Sequence, residues 1–215
     1  MSQPILLDLF CGAGGAAMGY HRAGFKVVGI DINPQPHYPF DFYQEDAMIF
    51  LKEATLSDWD IIHASPPCQR YSPISRYQRV AMNYPDLVDE VRTYLLSTKI
   101  PYVIENVPNA PLRKDLILCG QQFDLPIYRH RVFESSIPLQ PPPPCIHIRP
   151  AKSNWSGYAT LADGIITVVG HTYRVREGRI AMGIPWMTQN ELNESIPPAY
   201  TEYIGNQLIK AVINK

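Results

Sequence analysis

Basic excess is what this sequence most plainly lacks: 19 lysines and arginines stand against 20 aspartates and glutamates, a formal net charge of -1. A chain that attracts nucleic acid through its overall field is thereby excluded, and any polyanion must be held by a local patch. No apolar run approaches the length of a membrane span. Residues 4–10 are apolar but far too short, and neither a basic flank nor a small-residue cleavage site accompanies them. The four cysteines, Cys11, Cys68, Cys119 and Cys145, form no C-x-x-C pair. A chain of 215 residues, 46% of them hydrophobic, buries a core without covalent staples, so free thiols in a reducing, cytoplasmic setting are expected. No metal is expected either, because Cys145-x-His147 offers two ligands where a tetrahedral site needs four.

Two phosphate-binding signatures are also missing: neither G-x-G-x-x-G nor a loop ending in G-K-[ST] occurs. What is present is an alternation of strand-like and helix-like segments. Residues 5–10 (ILLDLF) form a continuous apolar run with one acid, the pattern of a strand buried on both faces. A glycine-rich turn and a helix to Arg22 follow, then a strand over 25–32 (FKVVGIDI). A short helix over 48–53, a strand over 60–64 (DIIHA), a helix over 86–98 and a strand over 102–107 (YVIENV) continue the series. Leu87, Val91 and Leu95 recur at helical spacing. Strands alternating with helices predict an α/β fold, a doubly wound and mostly parallel sheet.

The proline run 141–144 breaks this order as a stiff connector. Residues 165–169 are readable as a strand of a small separate lobe, and residues 201–213 as a helix that returns to the sheet. The domain expectation is therefore a catalytic unit over 1–140, a lobe over 141–175 and a returning segment over 176–215.

In such sheets, ligands bind beyond the carboxyl ends of the strands. Four of those ends carry polar signals. The first runs from Asp8 through Phe10, Cys11, Gly12, Ala13, Gly14 and Gly15, glycines that let the backbone approach a ligand. The second is Asp31, placed one unit later to accept ribose hydroxyls. An adenosine ligand without phosphates fits this pair. The third, Ser65-Pro66-Pro67-Cys68-Gln69, presents a thiol on a rigid turn. It reads either as a buried structural cysteine or as a nucleophile. The fourth, Glu105-Asn106-Val107, sets a carboxylate in an apolar strand, which implies either a structural partner or a raised pKa. After Cys68, residues 70–79 carry Arg70, Arg76 and Arg79 with Tyr71 and Tyr77, a local basic and aromatic patch.

Together these motifs resemble the DNA cytosine-5 methyltransferases, over nearly the whole chain. The D-L-F-C-G-x-G-G loop stands at Asp8 to Gly15, P-P-C-Q at Pro66 to Gln69 and E-N-V at Glu105 to Val107. Small bacteriophage-encoded members are similar in having a reduced recognition domain. The resemblance implies a Rossmann-like methyltransferase fold, S-adenosyl-L-methionine as cofactor, DNA as partner, no membrane, and a cytoplasmic location in a bacterial or phage-infected cell. It assigns catalysis to Cys68, Glu105, Arg129 and Arg131, although Ile127 replaces the glutamine of the usual Q-x-R-x-R. It adds Ile32, Asp46, Ala47, Pro66 and Asn206 to the cofactor pocket, and Gln69, Ser72, Arg76 and Arg79 to nucleic-acid contacts. The lobe supplies Lys152, Asn154, Trp155, His171, Tyr173 and Arg174 as candidates for base or phosphate contact. Its small size implies limited specificity, a protein partner that supplies specificity, or a substrate other than duplex DNA. RNA, a modified donor and a non-catalytic DNA-binding descendant are the alternatives.

Overall fold

The computed structural model describes residues 3–73, 77, 79–152 and 158–213. Arg76, Asn154 and Trp155 lie outside the described residues. Among the rest, seven strands form one sheet: β1 (Ile5–Leu9), β2 (Lys26–Asp31), β3 (Asp41–Gln44), β4 (Ile61–Ala64), β5 (Tyr102–Asn106), β6 (Leu116–Leu118) and β7 (Arg131–Ser135), in the order β3-β2-β1-β4-β5-β7-β6. The pairs β2–β3, β1–β2, β1–β4 and β4–β5 are parallel, whereas β7 is antiparallel to both β5 and β6. The chain reverses direction of travel across the sheet between β1 and β4. That switch point opens a crevice at the carboxyl ends of the two strands.

The helices bounded by described residues are α1 (Gly15–Arg22), α2 (Ala47–Glu53), α3 (Val88–Thr98), α4 (Val175–Met182), α5 (Gln189–Glu194) and α6 (Pro198–Ile213). Strand alternation explains how they pack. Leu6, Ile61 and Val103 face one side, with Tyr20 of α1 and Ile204 and Leu208 of α6. Leu7, Ile62 and Ile104 face the other, with Met48 and Leu51 of α2 and Val91 and Leu95 of α3. Both faces are covered, which is why the strands read as continuous apolar runs. α1 lies against α6 closely enough that a Cβ on Gly19 would stand 2.1 Å from the Pro198 carbonyl oxygen.

The first seven predicted segments fall where expected, and the last helix begins a little earlier, at Pro198. Three strands were not anticipated. β3 emerges from the proline- and aromatic-rich segment after Asp31, and Tyr38 of that segment lies over Gly29, where a Cβ would be 2.4 Å from its ring. β6 has only three residues, and β7 (RVFES) carries Arg131, Glu134 and Ser135 among its five, so neither reads as an apolar run. β7 holds Glu134, fully buried but bound by Arg92 through Nε and Nη2 at 2.9–3.1 Å and by the Arg113 amide at 2.9 Å.

The expected strand over 165–169 is absent: Ile166 makes one isolated bridge, to Lys152. Nor is this segment's core separate. Ile166, Val168 and Tyr173 share an apolar cluster with Ala13 of the glycine loop, Ile127, Met182 and Leu192. Trp186 Nε1 donates to the Ala13 carbonyl at 2.9 Å and fastens that cluster to the loop. Tyr173 is fully buried, its hydroxyl donating to Gln189 O and Asn193 Oδ1, and so is unable to reach a base. Lys152, His171 and Arg174 are exposed. Among the described residues, no helix is long and apolar enough to cross a membrane.

Candidate active site

The glycine loop leaves β1 through Phe10, Gly12 and Gly14, all with φ between 49° and 82°. Glycine adopts this region freely; Phe10 is held there between β1 and the Cys11 amide, which donates to Ile30 O at 3.1 Å. The turn lets Asp31 Oδ2 accept from the Gly12 amide at 3.0 Å, while Oδ1 accepts from Asn33 N at 2.9 Å. Asp31 therefore organises the loop and still faces the crevice.

That crevice, about 230 Å³, is lined from the ends of four strands and from the loop before α6. Of the residues singled out in the sequence, Asp8, Phe10, Cys11, Gly12, Ala13, Gly15, Asp31, Ile32, Pro66, Cys68, Gln69, Glu105 and Arg131 border it. Glu191, Glu194, Ser195 and Ile196 close its far wall; sequence reading missed them, because no local motif marks them.

Several predicted residues stand elsewhere. Gly14 caps α1 beneath Tyr38 and Pro39. Asp46 caps α2, its Oδ1 accepting from Met48 N and Ile49 N, and Ala47 is buried in the core behind it. Asn206 is exposed two turns into α6, and its neighbour Gly205 packs on Ala23 and Tyr20, so the pair does not reach the crevice. Ser72 and Arg79 lie outside the crevice lining, on the segment after Cys68; Ser72 is half-buried and Arg79 exposed.

Arg129, expected in catalysis, is also outside the lining. Its guanidinium donates to the carbonyls of Ser195, Val168, Leu192 and Asn193 at 2.6–3.3 Å, and so ties the lobe and the far wall to the sheet. Burial and the nearby Arg131 pull it down to about 9. Its donors are committed to backbone, which makes it a positioning residue.

The chemistry sits between β4 and β5. Asn106 Nδ2 donates to Pro66 O at 2.9 Å, so the strand that carries Glu105 also holds the Cys68 turn. Arg131 Nε lies 3.0 Å from Glu105 Oε1, an ion pair without the direction of a hydrogen bond, and that oxygen keeps no hydrogen-bond partner. Burial raises the Glu105 carboxyl, opposed by Arg131, the Ser65 hydroxyl and Arg129. Burial also raises the Cys68 thiol; Glu105 adds to this, while Arg131 and Arg129 oppose it. Protonating Glu105 therefore removes one of the charges that disfavours the Cys68 thiolate.

A further chain of contacts escaped the sequence. The Tyr20 hydroxyl lies 2.9 Å from His63 Nδ1, and His63 Nε2 lies 2.9 Å from Ser65 Oγ. Burial pushes His63 down to about 3, so the ring is neutral. With Tyr20 donating to Nδ1 and Nε2–H donating to Ser65, the serine proton remains available for Glu105.

Near the glycine loop the crevice is acidic: Asp8, Asp31, Glu191 and Glu194 face it. Asp8 is fully buried, its Oδ1 has no partner, and Tyr38 reaches Oδ2 only at 3.4 Å. Burial pushes this carboxyl up to about 8. An unpartnered buried carboxylate is costly, and a ligand bearing an ammonium and a further positive centre offsets that cost. S-adenosylmethionine, with an ammonium and a sulfonium, fits this donor set, whereas a phosphate ligand does not.

Strand order and crevice together define the Rossmann-like class of S-adenosylmethionine-dependent methyltransferase domains. Residues 5–115 match the family model described as C-5 cytosine-specific DNA methylase, and the chain belongs to that family. Among curated relatives, the type II methyltransferase M1.HphI of Haemophilus parahaemolyticus is 33% identical over 119 residues, which cover 47% of this chain and 32% of that protein. The type II methyltransferase M.HgiGI of Herpetosiphon aurantiacus is 28% identical over 120 residues, 50% of this chain and 94% of that protein. The chain thus spans about a third of the first relative and nearly all of the second. Among solved structures, S. pombe Dnmt2 methyltransferase superposes with a TM-score of 0.59 at 17% identity, covering 98% of this chain and 99% of that one. A protein encoded within an E. coli prophage and described as a DNA modification methyltransferase gives 0.58 at 18% identity, covering 99% and 100%. At these identities the two structures speak for the fold alone.

Proposed function

We propose that the protein methylates carbon 5 of cytosine in DNA, with Cys68 as nucleophile. The observation that carries this reading is the meeting of Cys68, Glu105 and Arg131 in the same crevice as the glycine loop. Asp8, Asp31 and the loop from Phe10 to Gly15 would hold S-adenosylmethionine, which when bound supplies an electrophilic methyl group. Everything else is done by the chain's own side chains.

Cys68 adds as thiolate to C6 of cytosine, which places negative charge in the ring. Protonated Glu105 hydrogen-bonds or protonates N3, and Arg131 holds O2, so the charge is stabilised where it develops. C5 becomes nucleophilic; after transfer its proton passes to water as the C6–sulfur bond breaks, which releases Cys68 as thiolate. Ser65, oriented through His63 and Tyr20, fixes the Glu105 carboxyl. The target ring is unreachable inside a duplex, so the base flips into the crevice at an unstacking cost of roughly a few kcal/mol.

Gln69, Ser72, Arg76 and Arg79 serve the nucleic acid from the segment after Cys68, and the lobe over 141–175 reads its sequence from Lys152, His171 and Arg174. Among the described residues of that lobe, the exposed lysines and arginines are Arg149, Lys152 and Arg174, which supports limited specificity shared with a protein partner. The reaction belongs in the cytoplasm. The test incubates purified protein and S-adenosylmethionine with DNA and with RNA separately, followed by nucleoside mass spectrometry. Cys68-dependent 5-methyldeoxycytidine is expected and must vanish in Cys68→Ala. A mark confined to RNA, or one that survives in Cys68→Ala, overturns the reading.

A further inference from the structure

Cys145-x-His147 does not stand alone, as its sequence suggests. The fold brings Cys119, directly after β6, and His130, directly before β7, to the same point, and the four ligand atoms all lie within 4.8 Å of one another. Cys119 Sγ is 3.3 Å from His147 Nε2, and Cys145 Sγ is 3.5 Å from His130 Nε2. Zinc bonded to sulfur at about 2.3 Å and to nitrogen at about 2.05 Å in a tetrahedron sets sulfur and nitrogen roughly 3.6 Å apart. The two sulfur–nitrogen separations, 3.3 and 3.5 Å, are close to that edge.

We propose that Cys119, His130, Cys145 and His147 bind one zinc ion, a structural site that clips the segment after the proline run to the β6–β7 edge of the sheet. Two thiolates and two imidazoles in a compact cluster suit zinc, whereas copper(II) and nickel(II) prefer a square-planar set. All four positions are filled by protein, which leaves none for water or substrate, so the site is structural in kind.

The surroundings hold the ligands in place. His147 stacks on Tyr128 with ring centroids 3.8 Å apart, and the Tyr128 hydroxyl donates to Arg149 O. Gln122 fastens both sides: its Oε1 accepts from the Cys119 amide at 2.8 Å and its Nε2 donates to Pro143 O at 2.8 Å. Cys119 is buried while His147 is exposed, so a cation enters from solvent on the His147 side. The prolines before Cys145 limit the conformations to be lost on closure. The clip also has a bearing on the active site, because His130 lies between Arg129, which ties down the far wall, and Arg131, which pairs with Glu105.

The protein, purified under reducing conditions with no added metal, is expected to carry one zinc per chain by inductively coupled plasma mass spectrometry. Exchange into cobalt(II) should give tetrahedral d–d bands and a thiolate-to-cobalt charge-transfer band. Cys145→Ser and His147→Asn should each reduce bound metal at least tenfold, while Cys68→Ala keeps it. His147→Asn changes an exposed side chain and guards against a folding failure in Cys145→Ser, and the cobalt spectrum needs no variant at all. Wild-type protein that lacks metal and takes up neither zinc(II) nor cobalt(II) at micromolar concentration overturns the proposal, as does a metal content unchanged in the two ligand variants.

Discussion

Replacing Gly19 with alanine sets two effects of opposite sign against each other. Gly19 lies in the interior of α1, where helix propensity alone favours alanine by about 1 kcal/mol. Against this, the new methyl would stand 2.1 Å from both Pro198 O and Thr201 Oγ1, and 2.6 Å from Glu202 N. Two of those three atoms are backbone and cannot swing aside. α1 and α6 must therefore part by roughly 1 Å to restore ordinary contact. Overpacking of this kind costs typically 1–3 kcal/mol and occasionally more. The parting also strains the bond from Thr201 Oγ1 to Ala16 O, 2.8 Å long and buried, whose loss adds about 0.5–1.5 kcal/mol. Net of propensity, Gly19→Ala should destabilise by about 0.5–3.5 kcal/mol. In a chain of this size that lowers Tm by roughly 1–14 °C. Urea unfolding followed by far-UV circular dichroism reads it as a lower midpoint at unchanged slope. Cofactor affinity should fall as well, since Gly15 at the head of the same helix lies against Ile196 of the crevice wall. A variant as stable as wild type, or more so, would show that propensity outweighs the contact and would refute this account of how α1 and α6 fix the wall.

Two other perturbations follow from the charges. Because Glu105 raises the Cys68 thiol and Arg131 lowers it, Glu105→Gln should speed alkylation of Cys68 by iodoacetamide at fixed neutral pH and Arg131→Gln should slow it. Each change should be roughly three- to tenfold, since one pKa unit is tenfold in thiolate, read at the Cys68 peptide by mass spectrometry; changes in the same direction contradict the assignment. Arg92→Ala leaves Glu134 buried without its bidentate partner, at a cost of about 3 kcal/mol near neutral pH. Burial raises the Glu134 carboxyl, but the bonds from Arg92 and the Arg113 amide outweigh it and hold the group below its ordinary value. The stability it contributes is therefore complete above that value and lost as pH falls through the lower folded one. The gap between wild type and Arg92→Ala should accordingly narrow below about pH 4, and a gap independent of pH would count against the pair.

What was legible in the sequence was local. Residues 5–10 and 102–107 announce buried strands by composition, and Asp8 to Gly15, Pro66 to Gln69 and Glu105 each carry their chemistry within a few consecutive residues. A strand end fixes where such a motif points, so sequence alone determined a doubly wound sheet with a thiol and a carboxylate at one crevice. Only the tertiary structure decided what depends on residues far apart in the chain. It gave Arg129's donors to the carbonyls of Val168, Leu192, Asn193 and Ser195, placed Asn206 outside the crevice and put Glu194 and Ser195 there instead. It turned residues 165–169 from an expected strand into part of a cluster shared with Ala13. The same holds for the metal: Cys145 and His147 are two ligands by spacing, and become four because β6 and β7 end beside them. Periodicity reports which face of an element is buried; which other elements arrive at that face is set by packing across the whole sheet, and no window of sequence contains it.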